Sequence, residues 1–172
     1  LAYLVGQLHE AARAVGRDPG QIYVCVWLQA AMAVTRQAAL EILKPQAGRT
    51  LLGALNHVPE LVLAPALPGL DGAMAARVRG LAAHQDDEFR LAHELAELLG
   101  GAALSEFTVS GTASDCRERL GALLAVPGVS ELAINVYGTD LRGAIHDFAT
   151  EVLGPIASNE LSQQQFTGAQ ST

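Results

Sequence analysis

Two hydrophobic periods alternate along the chain. Near the N-terminus Leu4, Leu8, Ala11, Ala12 and Val15 recur at three- and four-residue spacing, which places them on one face of a helix. Gly16 and Asp18-Pro19 follow, and they predict that this helix stops near Val15. Residues 22–28, Ile-Tyr-Val-Cys-Val-Trp-Leu, are apolar on both faces, the pattern of a parallel strand covered on each side. Thr35 is placed to cap a helix through Leu40 and Leu43 to Pro45, whose missing N–H predicts a break. A further helical piece is expected to begin at residues 51–55.

The middle of the chain is less regular. Prolines at 59, 65 and 68 and glycines at 69 and 72 make residues 59–72 the most loop-like stretch, read as an insertion. Helical spacing returns over 73–99, with a bend near 84–86 and Gly100-Gly101 as the stop. The last third is the most regular. It predicts a strand at 107–109, a Ser110-Gly111-Thr112 turn, a helix to 124, a Pro127-Gly128 turn, a strand at 132–136, a turn at 137–140 and a helix to 153. Strand, helix, strand, helix implies parallel strands joined by a right-handed crossover. The expected class is α/β, with residues 1–157 as one domain, 45–100 as its irregular or helical insertion, and 158–172 as a polar, loosely held tail.

Composition narrows the function. With 172 residues, half of them hydrophobic, the chain can bury one sizeable core. A net charge of −7 without a lysine or arginine cluster argues against a nucleic acid partner. No apolar run approaches the roughly 18 residues of a membrane span, so no membrane partner is expected and a cytoplasmic location is the default. Two cysteines do not make a disulfide framework, and reduced thiols are expected. The chain opens at Leu1 already inside a helical pattern, which is how a fragment of a longer protein would begin.

Segment 107–120, Phe-Thr-Val-Ser-Gly-Thr-Ala-Ser-Asp-Cys-Arg-Glu-Arg-Leu, resembles the hallmark of luciferase-like flavin- or deazaflavin-dependent oxidoreductases: a short strand, a Gly-Thr turn and an acidic helix start. The Gly128-Val-Ser-Glu-Leu132 passage, the closing Phe148-Ala-Thr-Glu-Val-Leu-Gly-Pro155 helix, and the helix, Gly-Arg-Asp-Pro and strand passage around residues 16–19 are similar to that family too. Their order and spacing carry the resemblance, which is weak over 45–100. It implies a (β/α)8 TIM-type barrel of which this chain covers roughly the C-terminal half, since such barrels typically need about 250 residues. It also implies reduced flavin (FMN) or the deazaflavin coenzyme F-420 as cofactor, for hydride transfer or oxygen activation on a small organic substrate. The earlier strands would then hold the ring and most substrate contacts, so catalytic residues are not assigned.

Within this frame Thr112 is a good helix cap, with Asp115 three residues on as in a capping box. The sharper reading makes Ser110, Gly111 and Thr112 a cofactor phosphate site, because a helix N-terminus at the C-terminal face of a parallel barrel aims free N–H groups at the ligand. Asp115 would repel that phosphate if it pointed inward. Tyr137, Gly138, Thr139 and Asp140 follow the final strand and share the active rim if the turns after Val109 and Val136 open side by side on a closed ring. Tyr137 is then a cavity residue, and Asp140 reads first as a cap. Trp27 and Gln29, taken to lie at the exit of the first strand, are candidates for the substrate or cofactor cavity, although a tryptophan there is more often core.

The histidines at 9, 57, 84, 93 and 146 lack ligand spacing, and His93-Glu94 lacks the second histidine at position 97 that a zinc-protease helix requires, so no metal is expected. Lys44, the only lysine, falls at a helix end beside Pro45, which argues against a Schiff-base aldolase. The alternative from another class is a noncatalytic truncated barrel that pairs with a partner through exposed strand edges. A homodimer is compatible with either reading.

Overall fold

The longest apolar run takes the centre of the sheet. In the computed structural model, which describes residues 1–57, 76–77, 80 and 88–157, strand β1 spans Cys25–Met32 and pairs in parallel with β2, Thr108–Gly111, on one side and β3, Glu131–Val136, on the other. The strand order is therefore β2-β1-β3. An eight-residue strand in the middle satisfies both of its backbone edges, while the four-residue β2 leaves few groups to satisfy at its outer edge. This order corrects the expectation that the turns after Val109 and Val136 lie side by side. Both open at the same edge of the sheet, but β1 runs between them.

Helices cover the sheet on two faces. Helix α1 (Ala2–Ala14) and a 3-10 turn (Pro19–Gln21) lead into β1; α2 (Arg36–His57) follows it; α3 (Glu88–Phe107) precedes β2. Helix α4 (Ala113–Leu124) connects β2 to β3, and α5 (Leu141–Phe148) runs on into a π-helical turn at Ala149–Leu153. Because side chains alternate along a strand, Val26, Leu28, Ala30 and Met32 turn to one face. There they pack with Val109, Cys116, Leu120, Leu123, Phe148 and Val152, so α4, α5 and the π turn form that layer. On the opposite face Ala31 packs with Ala39 and Leu43 of α2 and with Tyr137. Helix α3 packs on α2 through Leu40, Ala47, Ala96 and Leu104.

Several boundaries moved for physical reasons. The first strand was expected at 22–28 and covered on both faces; it runs to Met32, and its first residues are open on the α2 face, at the end that α2 does not reach. Pro45 was expected to break the helix after Thr35, yet α2 continues through it. The packing of α2 on α3 is close enough to outweigh one lost backbone bond: a Cβ at Gly48 would lie 1.9 Å from the Ala92 carbonyl oxygen. Gly100 ends a helical segment as expected, with φ 69°, but the chain resumes helix to Phe107 instead of leaving it. Strand β2 accordingly starts at Thr108.

Helix caps fall as the spacing predicts. Asp140 accepts from the Arg142 N–H at 3.2 Å, and Thr35 accepts from the Ala38 N–H at 3.2 Å. Gly128 is required by its φ of 90°, and His9 packs so near that its Cε1 would be 2.6 Å from an added Cβ. That contact docks α1 against the Pro127-Gly128 turn. The expectations for 59–72, for the bend near 84–86 and for the tail 158–172 lie outside the described residues.

Candidate functional site

The C-terminal edge of the sheet collects Ser110, Gly111, Thr112 and Tyr137, because all three strands are parallel and end there. In open parallel sheets ligands bind at this edge. At the end of β2, Gly111 has φ 144°, and a Cβ there would sit 2.6 Å from the Asp115 Cβ. Only glycine lets the chain turn this closely into α4.

Thr112 and Asp115 form a complete capping box. The Asp115 N–H donates to Thr112 Oγ1 at 3.3 Å, while Asp115 Oδ2 accepts from the Thr112 N–H at 2.9 Å and from its hydroxyl at 2.7 Å. Arg36, the first residue of α2, reaches across to Asp115 at 2.7 Å. The Thr112 hydroxyl, then its N–H, then the Arg36 guanidinium hold the Asp115 carboxyl below the usual aspartate range, so it is an anion at neutral pH. Ser110 is buried and its hydroxyl lies 3.3 Å from Thr108 Oγ1, which donates to the Leu104 carbonyl at 3.0 Å.

These contacts bear on whether a phosphate fits. The Thr112 donors are engaged by Asp115, and Asp115 brings a negative charge to the mouth of α4. Two groups still suit an anion: the first-turn N–H groups of Ala113 and Ser114, which no helix satisfies internally, and Arg36, whose side chain is 61% exposed. Sequence reasoning passed over Arg36, because only the fold brings the start of α2 against the start of α4.

Trp27 and Gln29 lie in the middle of β1, not at its exit. Trp27 is 76% exposed, so it is not a core residue. It points to the face opposite the α4 and α5 layer, beyond the reach of α2. Gln29 is half-buried on that same face; its Nε2 donates to Thr50 Oγ1 at 2.5 Å, and its Oε1 is buried with no protein partner among the described residues. The parallel register sets Thr108, Gln29 and Asn135 in one row across the sheet. Tyr137 is half-buried, packs near Ala31 and Ile42, and borders a groove of about 690 Å³ between β3 and α5. The sheet therefore brings Ser110, Gly111, Thr112 and Tyr137 to one edge, places Gln29 below them, and leaves Trp27 apart.

Among the described residues no group of three or more metal-ligating side chains comes together. No described helix is long and apolar enough to cross a membrane. Cys25 is exposed; Cys116 is buried beneath β1, and burial pushes its thiol up to about 11. His93 is exposed on α3, and the candidates His57 and His84 lie outside the described side chains.

No family model and no curated protein matches this sequence. Among solved structures, the chain is similar to a coenzyme F420 dependent tetrahydromethanopterin reductase from Methanopyrus kandleri, with a TM-score of 0.60 and 18% identity. The match covers 89% of this chain and 41% of the reductase chain, so this chain spans about two fifths of that protein's length. At this identity the likeness shows a shared fold.

Proposed function

We propose that this chain is the C-terminal part of a luciferase-like (β/α)8-barrel oxidoreductase that uses a deazaflavin, coenzyme F420, to exchange hydride with a small organic substrate. The observation that carries the reading is the likeness of 89% of the chain to a coenzyme F420 dependent reductase. It favours the deazaflavin over FMN, the alternative. The parallel strands support it as well, because their turns open at one edge, where this class of sheet binds ligands.

In this reading Arg36 and the start of α4 at Ser110, Gly111 and Thr112 lie beside the cofactor phosphate, and Gln29 and Tyr137 line the cavity. The bound deazaflavin supplies the hydride chemistry. The residues of this chain orient it and keep water out. Neutralisation of Asp115 by Arg36 lowers the repulsion that the carboxylate would exert on an anion. A cytoplasmic protein acting on a small molecule completes the picture.

A second reading is a noncatalytic scaffold that pairs with another chain. It is favoured by the engagement of the Thr112 donors with Asp115 and by the outer edge of β3, which pairs with no strand among the described residues. Titrating the full-length protein into coenzyme F420 and, separately, into FMN while following cofactor fluorescence separates the two. Saturable quenching by F420, weakened in Arg36→Ala, is the expected result. Absence of quenching with either cofactor refutes the oxidoreductase reading and leaves the scaffold.

A further inference from the structure

The last described residues form one wall of an apolar groove. Strand β3 runs to the C-terminal edge of the sheet, and α5 with its π turn carries the chain back along it. Leu153, Ile156 and Ala157 thereby come to lie beside Glu131 and Leu132 at the start of the strand. With Leu124 at the end of α4 they line a groove of about 350 Å³, toward the opposite end of the sheet from the candidate site. Its floor is the core layer, where Leu120 is buried and Leu132 and Ile156 are partly buried against it. Leu124 and Leu153 are 38% and 39% exposed on the walls. Glu131 is the only charged side chain among the described lining residues, and its carboxylate accepts a hydrogen bond from the Tyr23 hydroxyl. The groove therefore suits an apolar side chain carried on an uncharged segment.

The residues that follow Ala157 supply one. Over 158–172 the sequence is Ser-Asn-Glu-Leu-Ser-Gln-Gln-Gln-Phe-Thr-Gly-Ala-Gln-Ser-Thr, in which Leu161 and Phe166 are the large apolar side chains. Phe166 stands between three glutamines and Thr167-Gly168, none of them charged. A phenylalanine buries about 150–250 Å² when it is covered, a driving force that its polar neighbours lack. Fully extended, the chain from Ala157 to Phe166 spans about 30 Å. A turn at Ser158-Asn159, residue types that favour turns, thus returns Phe166 to the groove with chain to spare.

We propose that residues 158–172 fold back over this groove and seat Phe166 in it, between Leu124 and Ile156, with Leu161 against the Leu153 rim. Tethering argues for this occupant. A side chain on a short flexible linker meets its site at an effective concentration on the order of millimolar, which a second copy or another protein in solution does not match. The inference is independent of the oxidoreductase reading, since the groove lies away from the ligand edge and the test contains no cofactor.

Trp27 is the single tryptophan, so in the 172-residue chain carrying Trp27→Phe and Phe166→Trp the one indole reports on position 166. A seated indole emits to the blue of free tryptophan and is shielded from acrylamide. Leu124→Lys, which puts a charge in the groove wall at a helix end that accepts a cation, returns it to full quenching. Leu153→Lys repeats the test if Leu124→Lys does not fold. Because an indole is larger than a phenyl ring, the parent's own side chain is followed in parallel. Nuclear Overhauser contacts from the Phe166 ring to the Leu124 and Ile156 methyls are expected, and they decide where the two measurements disagree. An indole fully open to acrylamide together with a Phe166 ring that lacks these contacts overturns the proposal. Shielding that neither lysine variant relieves puts the ring on another surface and overturns it too. So does shielding that appears only with dimerisation in sedimentation, which makes a second copy the occupant.

Discussion

Gly48→Ala sets two known effects against each other at one position. In the interior of a helix alanine is favoured over glycine by about 1 kcal/mol. At Gly48, however, the new Cβ would lie 1.9 Å from the Ala92 carbonyl oxygen and 2.7 Å from its carbonyl carbon. A relaxed carbon-to-oxygen contact is about 3.3 Å or more, so α2 and α3 would have to part by more than about 1 Å. A gap of that size already forfeits roughly a quarter to a half of the dispersion contacts across it. The contacts at risk include those of Leu40, Ala47, Ala96 and Leu104. Overpacking a good core costs about 1–3 kcal/mol, occasionally more, so with the propensity gain of about 1 kcal/mol subtracted Gly48→Ala should destabilise by about 1 kcal/mol. Gly53, one and a half turns further along the same helix, has nothing within 4 Å of its Cβ position, so Gly53→Ala should stabilise by about 0.5–1 kcal/mol. Urea denaturation of both variants gives the two signs directly. If Gly48→Ala is as stable as the parent, or the two variants shift the same way, the close crossing of α2 on α3 is refuted.

Four other outcomes follow from individual side chains. Thr112→Ala removes the hydroxyl of the capping box and should lower stability by about 1 kcal/mol. The pH dependence has a definite sign. The Asp115 carboxyl is held down first by the Thr112 hydroxyl, so its contribution is present above the unfolded aspartate pKa of about 3.9 and is lost as pH falls through the lower folded value. Acid denaturation of Asp115→Asn should therefore be less steep below about pH 4 than that of the parent, and equal slopes refute the assignment. The two thiols should differ: Cys25 reacts with a thiol reagent in the native protein, and Cys116, buried with its thiol pushed up to about 11, reacts only on unfolding. Two fast thiols would mean that the layer over β1 is not packed. Because Trp27 is the single tryptophan and 76% exposed, emission of the isolated chain should be that of a solvated indole and fully quenched by acrylamide. A blue-shifted, shielded emission would mean that something covers the outer half of β1.

Local chemistry explains why the last third was the easiest to read. Thr112 and Asp115 stand three apart, Asp140 precedes a helix and Gly128 follows a proline, and each of these signals acts over a few residues. Pro45 misled for the converse reason. The rule against proline inside a helix weighs one backbone bond, and it says nothing of the α3 surface on which α2 packs. Trp27 misled likewise, since an apolar run shows that a strand can be covered on both faces but not where the covering helix ends. For the candidate site, Thr112 and its partner were legible, while Arg36 was not. Its role depends on the approach of α2 to α4, which no spacing along the chain records.

The sequence by itself determined the order of strands and helices in the last third, the caps and turns there and the absence of ligand spacing among its histidines, because these depend on neighbours three or four residues away. Only the tertiary structure decided that β1 sits between β2 and β3, and that Arg36 neutralises Asp115. Those outcomes depend on contacts between residues as far apart as Arg36 and Asp115 or Cys25 and Glu131. Such pairs are chosen by the burial they jointly achieve, a quantity that no single stretch of chain contains.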